Sequence, residues 1–437
     1  MKKKMDVHEM LGRYMLADGM DLVMDLDRSH GSRIVDQRDG TEYLDLYSMY
    51  ASQAIGYNHP RMLEISDELA RAAAQKPICS DIYTEQMARF MQVFARVAMP
   101  AYLPHAFFIE GGALAVENAL KAAFDWKTRL NLASGKDDLH ADMIIHFKEA
   151  FHGRSGYTLS LTNTYNPDKT RYFPKFDWPR IDNPKLRFPV DAAEVQRVSE
   201  IEGQALEQVK QAIYQHGDRI AGLIIEPIQS EGGDNHFRPE FMLALRQLCS
   251  ENRIIFILDE VQTGIGLTGR FWAHEHHDVQ PDIISFGKKT QVCGMLAGPI
   301  MDEVPDNVFQ RSMRIGSTFG GNLVDMVRCQ RILEIIESER LVEAAEQQGA
   351  YLLAKLLDLQ SHFPGTLSNV RGQGLLCAFD LPDPEFRRRF AERCVRARVL
   401  VVGCGPRSIR FRPHLNISTA EIDHGLKVMA DVIADMV

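Results

Sequence analysis

Seven cysteines are scattered over 437 residues with no C-x-x-C pair among them. An odd, dispersed set of this kind is no disulfide framework, and it fits reduced thiols in a cytosolic protein. The chain lacks any apolar run near the ~20 residues that a membrane-spanning helix needs. Its opening Met1-Lys2-Lys3-Lys4 leads into no apolar h-region, so the expectation is neither a secreted nor a membrane protein. A basic excess is missing too: the formal net charge is -9, which argues against nucleic acid as the main partner. No internal repeat and no low-complexity segment is present. What remains, 45% hydrophobic and 25% charged residues, is the composition of a globular protein with an ample core. Length alone suggests about three domains.

The chemistry is concentrated between Ile254 and Gly298. An apolar run, Ile254 to Leu258, has the length and β-branched content of a buried strand and delivers Asp259 to its end. Buried strands of open α/β sheets present catalytic groups there. A second short apolar segment, Ile283 to Phe286, ends on Gly287 and Lys288. The lysine can hold an aldehyde cofactor as a Schiff base, and the acid can keep a pyridine nitrogen protonated. That pairing describes a pyridoxal phosphate site. Two rival patterns share the stretch. Gly264, Gly266 and Gly269 spell G-x-G-x-x-G, but a dinucleotide turn starts at the strand end and opens a helix, whereas here Asp259, Glu260 and Gln262 come first. His274-Glu275-His276-His277 lacks the spacing that sets two imidazoles on one helical face, so a solvated, locally helical patch and no metal are expected. Asp259 alone would be an ordinary helix cap and Lys288 an ordinary surface lysine; the two at this spacing are not.

Along the chain, residues 8–30 read as a helical lead-in, and residues 33–46 as a hairpin about Asp39-Gly40. Helical periodicity covers 62–74 and 84–97. The first strand of the main sheet is expected at 106–109, followed by Glu110-Gly111-Gly112-Ala113 and a helix to Leu130. Glycines between a strand end and a helix start let N–H groups approach an anion. Strands at 143–147 and 220–225 alternate with helices at 194–214 and 238–251, the signature of a mostly parallel sheet covered on both faces. Residues 165–189 form a long Pro- and aromatic-rich segment. Beyond Leu323 come helices to Glu339 and from Val342 to Leu357, then short strands at 375–381, 400–402 and 409–411. Ser418-Thr419-Ala420-Glu421 is a capping box for a last helix. The expected division is an N-terminal segment, 1–70, packing with a smaller α+β domain, 326–437, around a large α/β cofactor-binding domain, 71–325.

D-E-V-Q-T-G…D-I-I-S-F-G-K, F-I-E-G-G-A-L-A-V-E-N-A-L-K, A-F-H-G-R, F-P-K-F-D-W-P-R-I-D and G-S-T-F-G-G-N occur in this order. From about Gly31 to the C-terminus the chain resembles the class III (ω-) aminotransferases, and within them the lysine 6-aminotransferases. The resemblance implies a pyridoxal 5'-phosphate-dependent transferase of fold-type I with Lys288 and Asp259 as catalytic residues. It implies a phosphate held at Gly112 and Ala113, where the family more often has Thr in place of Ala113. Phe151 would lie over the pyridine face, with His152, Glu226 and Gln262 completing the cofactor site. Ser317 and Thr318 would reach the phosphate of a partner subunit, hence a homodimer with shared sites. For substrates it implies L-lysine and 2-oxoglutarate, giving 2-aminoadipate 6-semialdehyde and L-glutamate, in cytoplasmic lysine catabolism. Arg154 would meet a distal carboxylate, and Gln262 would line the substrate site. Glu231 would neutralise Arg410 in one half-reaction and swing away in the other; Arg412 competes with Arg410 for that role. Another ω-amine donor (4-aminobutyrate or ornithine) and an aminomutase or racemase on the same fold remain as alternatives.

Overall fold

The computed structural model describes residues 5–75, 81–136 and 139–437. Strands β1 (Arg33–Val35) and β2 (Glu42–Asp45) pair antiparallel around a turn in which Gly40 takes φ +80°. Strands β3 (His105–Ile109), β4 (Met143–Phe147), β5 (Arg180–Ile181) and β6 (Ile220–Ile225) follow. A short antiparallel pair, β7 (Ile228–Gln229) and β8 (Asn235–His236), precedes β9 (Ile255–Asp259), β10 (Ile283–Phe286) and β11 (Cys293–Ala297). The main sheet has seven strands in the order β3-β11-β10-β9-β6-β4-β5. All its pairings are parallel except those of β11, which runs antiparallel to both β10 and β3. Strand β11 was not expected, because Cys293-Gly294 weakens its apolar pattern. Gly294 is required there: a Cβ would stand 2.1 Å from the Phe107 carbonyl oxygen.

Side chains of the parallel strands alternate between two cores, as a doubly covered sheet demands. Ile255 and Ile257 pack with Ile224, Ile283 and the apolar face of the helix Gly112–Ala133, among them Val116, Leu120 and Trp126. Phe256 and Leu258 face the other way, toward Phe241 and Leu245 of the helix Pro239–Glu251. The register sets Ser285 beside Asp259. The ends of β9 and β10 therefore open side by side.

A second sheet follows: β12 (Ser368–Gln373) and β13 (Leu376–Asp380), then β15 (Val402–Cys404) and β16 (Ser408–Phe411), in the order β12-β13-β16-β15. Between them β14 (Val399–Leu400) leaves this sheet and pairs in parallel with β2, Val399 opposite Leu44. The single strand expected at 400–402 is thus two strands in two sheets. The polar β12 and the charged helix Pro384–Arg396, capped by Asp383 on the Phe386 N–H, carried no clear periodic signal. Ser418 and Glu421 form the expected capping box on Thr419–Ala434.

The helical lead-in over 8–30 is corrected. Only Val7–Gly12 is helical. Beyond it Asp25 accepts the N–H groups of Asp27 and Arg28, and Met20, Leu22 and Met24 alternate with period two against Ile34 and Tyr57. After β2 comes a left-handed turn: Ser48, Met49, Tyr50 and Ala51 have φ of 44°, 49°, 59° and 64°. Each such residue costs about 1–2 kcal/mol outside glycine, and tertiary bonds hold it there. The Ser48 N–H is held by Asp45 at 2.8 Å, and its hydroxyl donates to the Arg412 carbonyl. Among the described residues no helix is long and apolar enough to cross a membrane.

Candidate active site

Asp259 ends β9 almost fully buried. Its Oδ2 accepts from His152 Nδ1 at 2.7 Å, and its Oδ1 from the Val261 N–H at 3.1 Å and the Ser285 hydroxyl at 3.3 Å. His152 lies in the loop after β4. Burial pulls its imidazole down, but the Asp259 bond and charge outweigh this and raise it. The opposite ring nitrogen, Nε2, is buried without a partner. Glu226 follows β6 and accepts from the Phe151 N–H at 3.0 Å and the Ser230 N–H at 3.1 Å. Burial, with Asp259 nearby, pushes its carboxyl up to about 7.

Lys288 stands just past β10 with φ 54°, a left-handed residue after Gly287. Burial and the Arg410 charge lower its pKa against the opposing pull of Asp259 and Glu226. Lys288 therefore feels the charge of all three. Lys289 points elsewhere, as adjacent residues leaving a strand do. It is buried, and its Nζ donates to the Gln262 carbonyl at 3.0 Å. Gln262, half-buried, donates to the Tyr50 carbonyl at 3.3 Å.

β3 leads through Glu110 and Gly111, at φ +90°, into the N-terminus of Gly112–Ala133. Its first N–H groups, Gly112 and Ala113 among them, have no helical partner by construction and form an anion cradle. Gly153, at φ +128°, lies so close that a Cβ there would be 2.6 Å from the Ala113 Cβ. Ser317 and Thr318 lie on an exposed turn whose Phe319 carbonyl accepts the Glu110 N–H at 3.2 Å. Within one chain they stand at the rim rather than in the cluster. Arg154 is exposed, with no ion pair among the described residues.

Arg410, on β16, is buried and donates from Nη2 to Glu231 Oε2 at 2.8 Å. Arg412 is committed elsewhere, fully buried against Asp234. Of the two candidates only Arg410 faces the site. Two residues near the pair escaped the sequence reading. Lys169 donates to Glu231 Oε1 at 2.6 Å, and the Tyr50 ring lies 5.9 Å from the Arg410 guanidinium. Lys169 sits in the long 165–189 segment, whose length was the only signal; Tyr50 is placed by the left-handed turn, which no local pattern announces.

The histidine run is corrected. Ala273–His277 is a 3-10 turn, but His274 and His277 are buried rather than solvated. For His274 the cause is Glu260, a buried carboxylate that needs donors: His274 Nδ1 at 2.9 Å, the His274 N–H at 2.8 Å and the Ala273 N–H at 3.1 Å. The G-x-G-x-x-G segment opens no helix. Gly266 and Gly269 have φ of +84° and +81°, and Gly266 turns back onto the Phe271 carbonyl.

A half-buried lysine and a buried, histidine-oriented aspartate end neighbouring strands, and an anion cradle stands at a helix start. This set fits pyridoxal phosphate and, on this sheet, a pyridoxal-phosphate-dependent enzyme of fold-type I. The chain belongs to the class III aminotransferases, whose family model matches residues 14–433. It is 52% identical over 430 residues to the L-lysine-epsilon aminotransferase of Mycobacterium tuberculosis, covering 98% of this chain and 95% of that one. The L-lysine-epsilon aminotransferase of Streptomyces clavuligerus is 48% identical over 432 residues, with 98% and 94% covered. The solved lysine aminotransferase from M. tuberculosis in the internal aldimine form superposes with a TM-score of 0.96 at 51% identity, covering 99% of both chains.

Proposed function

We propose that this chain moves the ε-amino group of L-lysine to 2-oxoglutarate, giving 2-aminoadipate 6-semialdehyde and L-glutamate in two ping-pong half-reactions. The observation that carries the reading is the Glu231–Arg410 pair, 2.8 Å long, beside Lys288. Glutamate brings an α-carboxylate next to the reacting amine, whereas lysine brings only methylenes there. An unpaired Arg beside methylenes is a costly buried charge. Glu231 cancels that charge for lysine; turned aside, it frees Arg410 for the carboxylate of glutamate or 2-oxoglutarate. Near-full-length identity of 48–52% to lysine-epsilon aminotransferases supports the same donor.

When bound, pyridoxal phosphate offers an aldehyde to the amine and a protonated ring that draws off the electron pair freed at the substrate carbon. Lys288 holds the cofactor and, once released, carries the proton from the lysine ε-carbon; burial makes its amine readier to be neutral. Asp259, oriented by His152, keeps the ring nitrogen protonated. Gly112 and Ala113 hold the phosphate, joined by Ser317 and Thr318 from a second subunit of a homodimer. Phe151 would cover the ring, with its backbone fixed by Glu226, and Gln262 would donate to the ring oxygen. Arg154, exposed in one chain, meets the distal carboxylate. Residues 71–325 act as the large cofactor-binding domain, with 1–70 and 326–437 forming the smaller one, in a cytoplasmic enzyme.

Lysine carrying heavy nitrogen only at the ε position tests this. Incubated with 2-oxoglutarate, the purified protein should yield heavy glutamate. Unlabelled glutamate would mean that the α-amine is lost, and turnover with 4-aminobutyrate or ornithine but not lysine would change the donor.

A further inference from the structure

Resting on the Glu231–Arg410 reading, we infer that Lys169 is a positioning residue that keeps Glu231 when it leaves Arg410, so the specificity switch has three members. The two oxygens of Glu231 are divided between two cations: Oε2 accepts from Arg410 Nη2 at 2.8 Å and Oε1 from Lys169 Nζ at 2.6 Å. The cations come from separate parts of the fold. Arg410 is on β16, while Lys169 ends the turn Pro167–Lys169, where Asn166 caps the Asp168 N–H at 3.0 Å. Lys169 Nζ also stands 5.5 Å from the centre of the Phe151 ring, so it reaches inward over the site and not into solvent.

A partly buried carboxylate with a single cationic partner cannot swing away without standing unpaired. Burial alone would raise the Glu231 carboxyl; Arg410 and Lys169 together hold it below its ordinary value. Lysine suits the second position. Its ammonium has three donors on a flexible stem and can follow the moving oxygen, which the planar fork of Arg410 cannot do as freely. With Lys169 present, Glu231 is paired in both arrangements. Without it, Glu231 is paired only on Arg410, and the arrangement closed to carboxylates is favoured. Removing Lys169 therefore acts in the opposite direction to removing Glu231.

The test uses the holoenzyme in single-turnover experiments with glutamate and lysine separately, and calorimetric binding of glutarate, an unreactive five-carbon dicarboxylate. Lys169→Met should lower the ratio of glutamate to lysine rate constants about tenfold and weaken glutarate by a similar factor, the scale of one charge-assisted hydrogen bond. Lys169→Arg should restore most of both, and Lys169→Gln should repeat the Met result. Glu231→Gln should raise the ratio and tighten glutarate, and in that background Lys169→Met should add no further shift. Equal slowing of both half-reactions by Lys169→Met, or the same ratio shift with and without Glu231, would leave Lys169 as a mere anchor of its segment and overturn the inference. A Glu231→Gln ratio equal to wild type would sink the gate itself, and this inference with it.

Discussion

Lys288 and Lys289 are neighbours with opposite surroundings, and they should respond to alanine in opposite ways. Lys288→Ala is expected to abolish turnover and the yellow colour of the bound cofactor. Lys289→Ala should keep the colour and lose about 1–3 kcal/mol of stability, because the Gln262 carbonyl loses its donor in a buried place. Absorbance spectra with denaturant melts read both; colour retained in Lys288→Ala would move the attachment elsewhere. Asp259→Asn should keep the fold and lose most activity, since a neutral amide cannot hold a pyridinium proton; turnover near wild type would reduce Asp259 to a structural acid. Glu226 gives a pH test. Its carboxyl is raised from 4.5 to about 7, so its contribution to stability is complete below 4.5 and is lost as pH climbs through about 7. Glu226→Gln removes that titration. Whatever constant penalty its amide suffers against the Phe151 and Ser230 N–H groups, the variant should gain on wild type by up to about 3 kcal/mol between about pH 5 and about pH 8. Denaturation of the cofactor-free proteins at both pH values measures this, and an unchanged gap would mean that Glu226 does not titrate there.

At the scale of elements, the loop after β4 comes close to the start of the helix Gly112–Ala133, where the phosphate is proposed to sit. Gly153→Ala would drive a methyl into the Ala113 Cβ at 2.6 Å and the Thr158 hydroxyl at 2.7 Å, at a φ of +128° that side chains avoid. The expected result is cofactor affinity weakened by about tenfold or more with the secondary structure intact, read by fluorescence titration. Affinity equal to wild type would show that the cradle lies elsewhere. The same elements show what the sequence could reveal. Strands such as Ile220–Ile225 are uniformly apolar because both faces are covered, so their limits could be read directly. Strand β11 could not, since its Gly294 is set by a neighbour's backbone and not by a local pattern. Nor could Tyr50, whose turn is held by residues more than three hundred positions away. The histidine run misled for a related reason: His274 is buried on Glu260, fourteen residues earlier, a separation that no helical or strand periodicity marks.

For the whole molecule, Asp234 ties the β7-β8 pair to the four-stranded sheet. Beside β8, it accepts from Arg412, and its carbonyl accepts Arg371 Nε of β12 at 2.9 Å. Asp234→Ala leaves Arg412 charged, fully buried and unpaired, an expected loss of about 3–5 kcal/mol. A fall in melting temperature much smaller than that of Asp380→Ala, which removes the acid paired with Arg371 at 3.0 Å, would show that the junction is held otherwise. The parallel pairing of β2 with β14 has a temporal consequence. The Leu44 and Leu46 N–H groups donate to the carbonyls of Arg398 and Leu400, and the Leu415 N–H donates back to the Ala54 carbonyl. A ribosome adding about 5–20 residues per second supplies those partners roughly 20–70 s after β2 has emerged. Lys288 and Asp259 are made well before then, while the wall carrying Tyr50 has nothing to close against. The nascent chain therefore carries Lys288 before the strands that enclose the proposed substrate site, and the last tenth of the polypeptide supplies them.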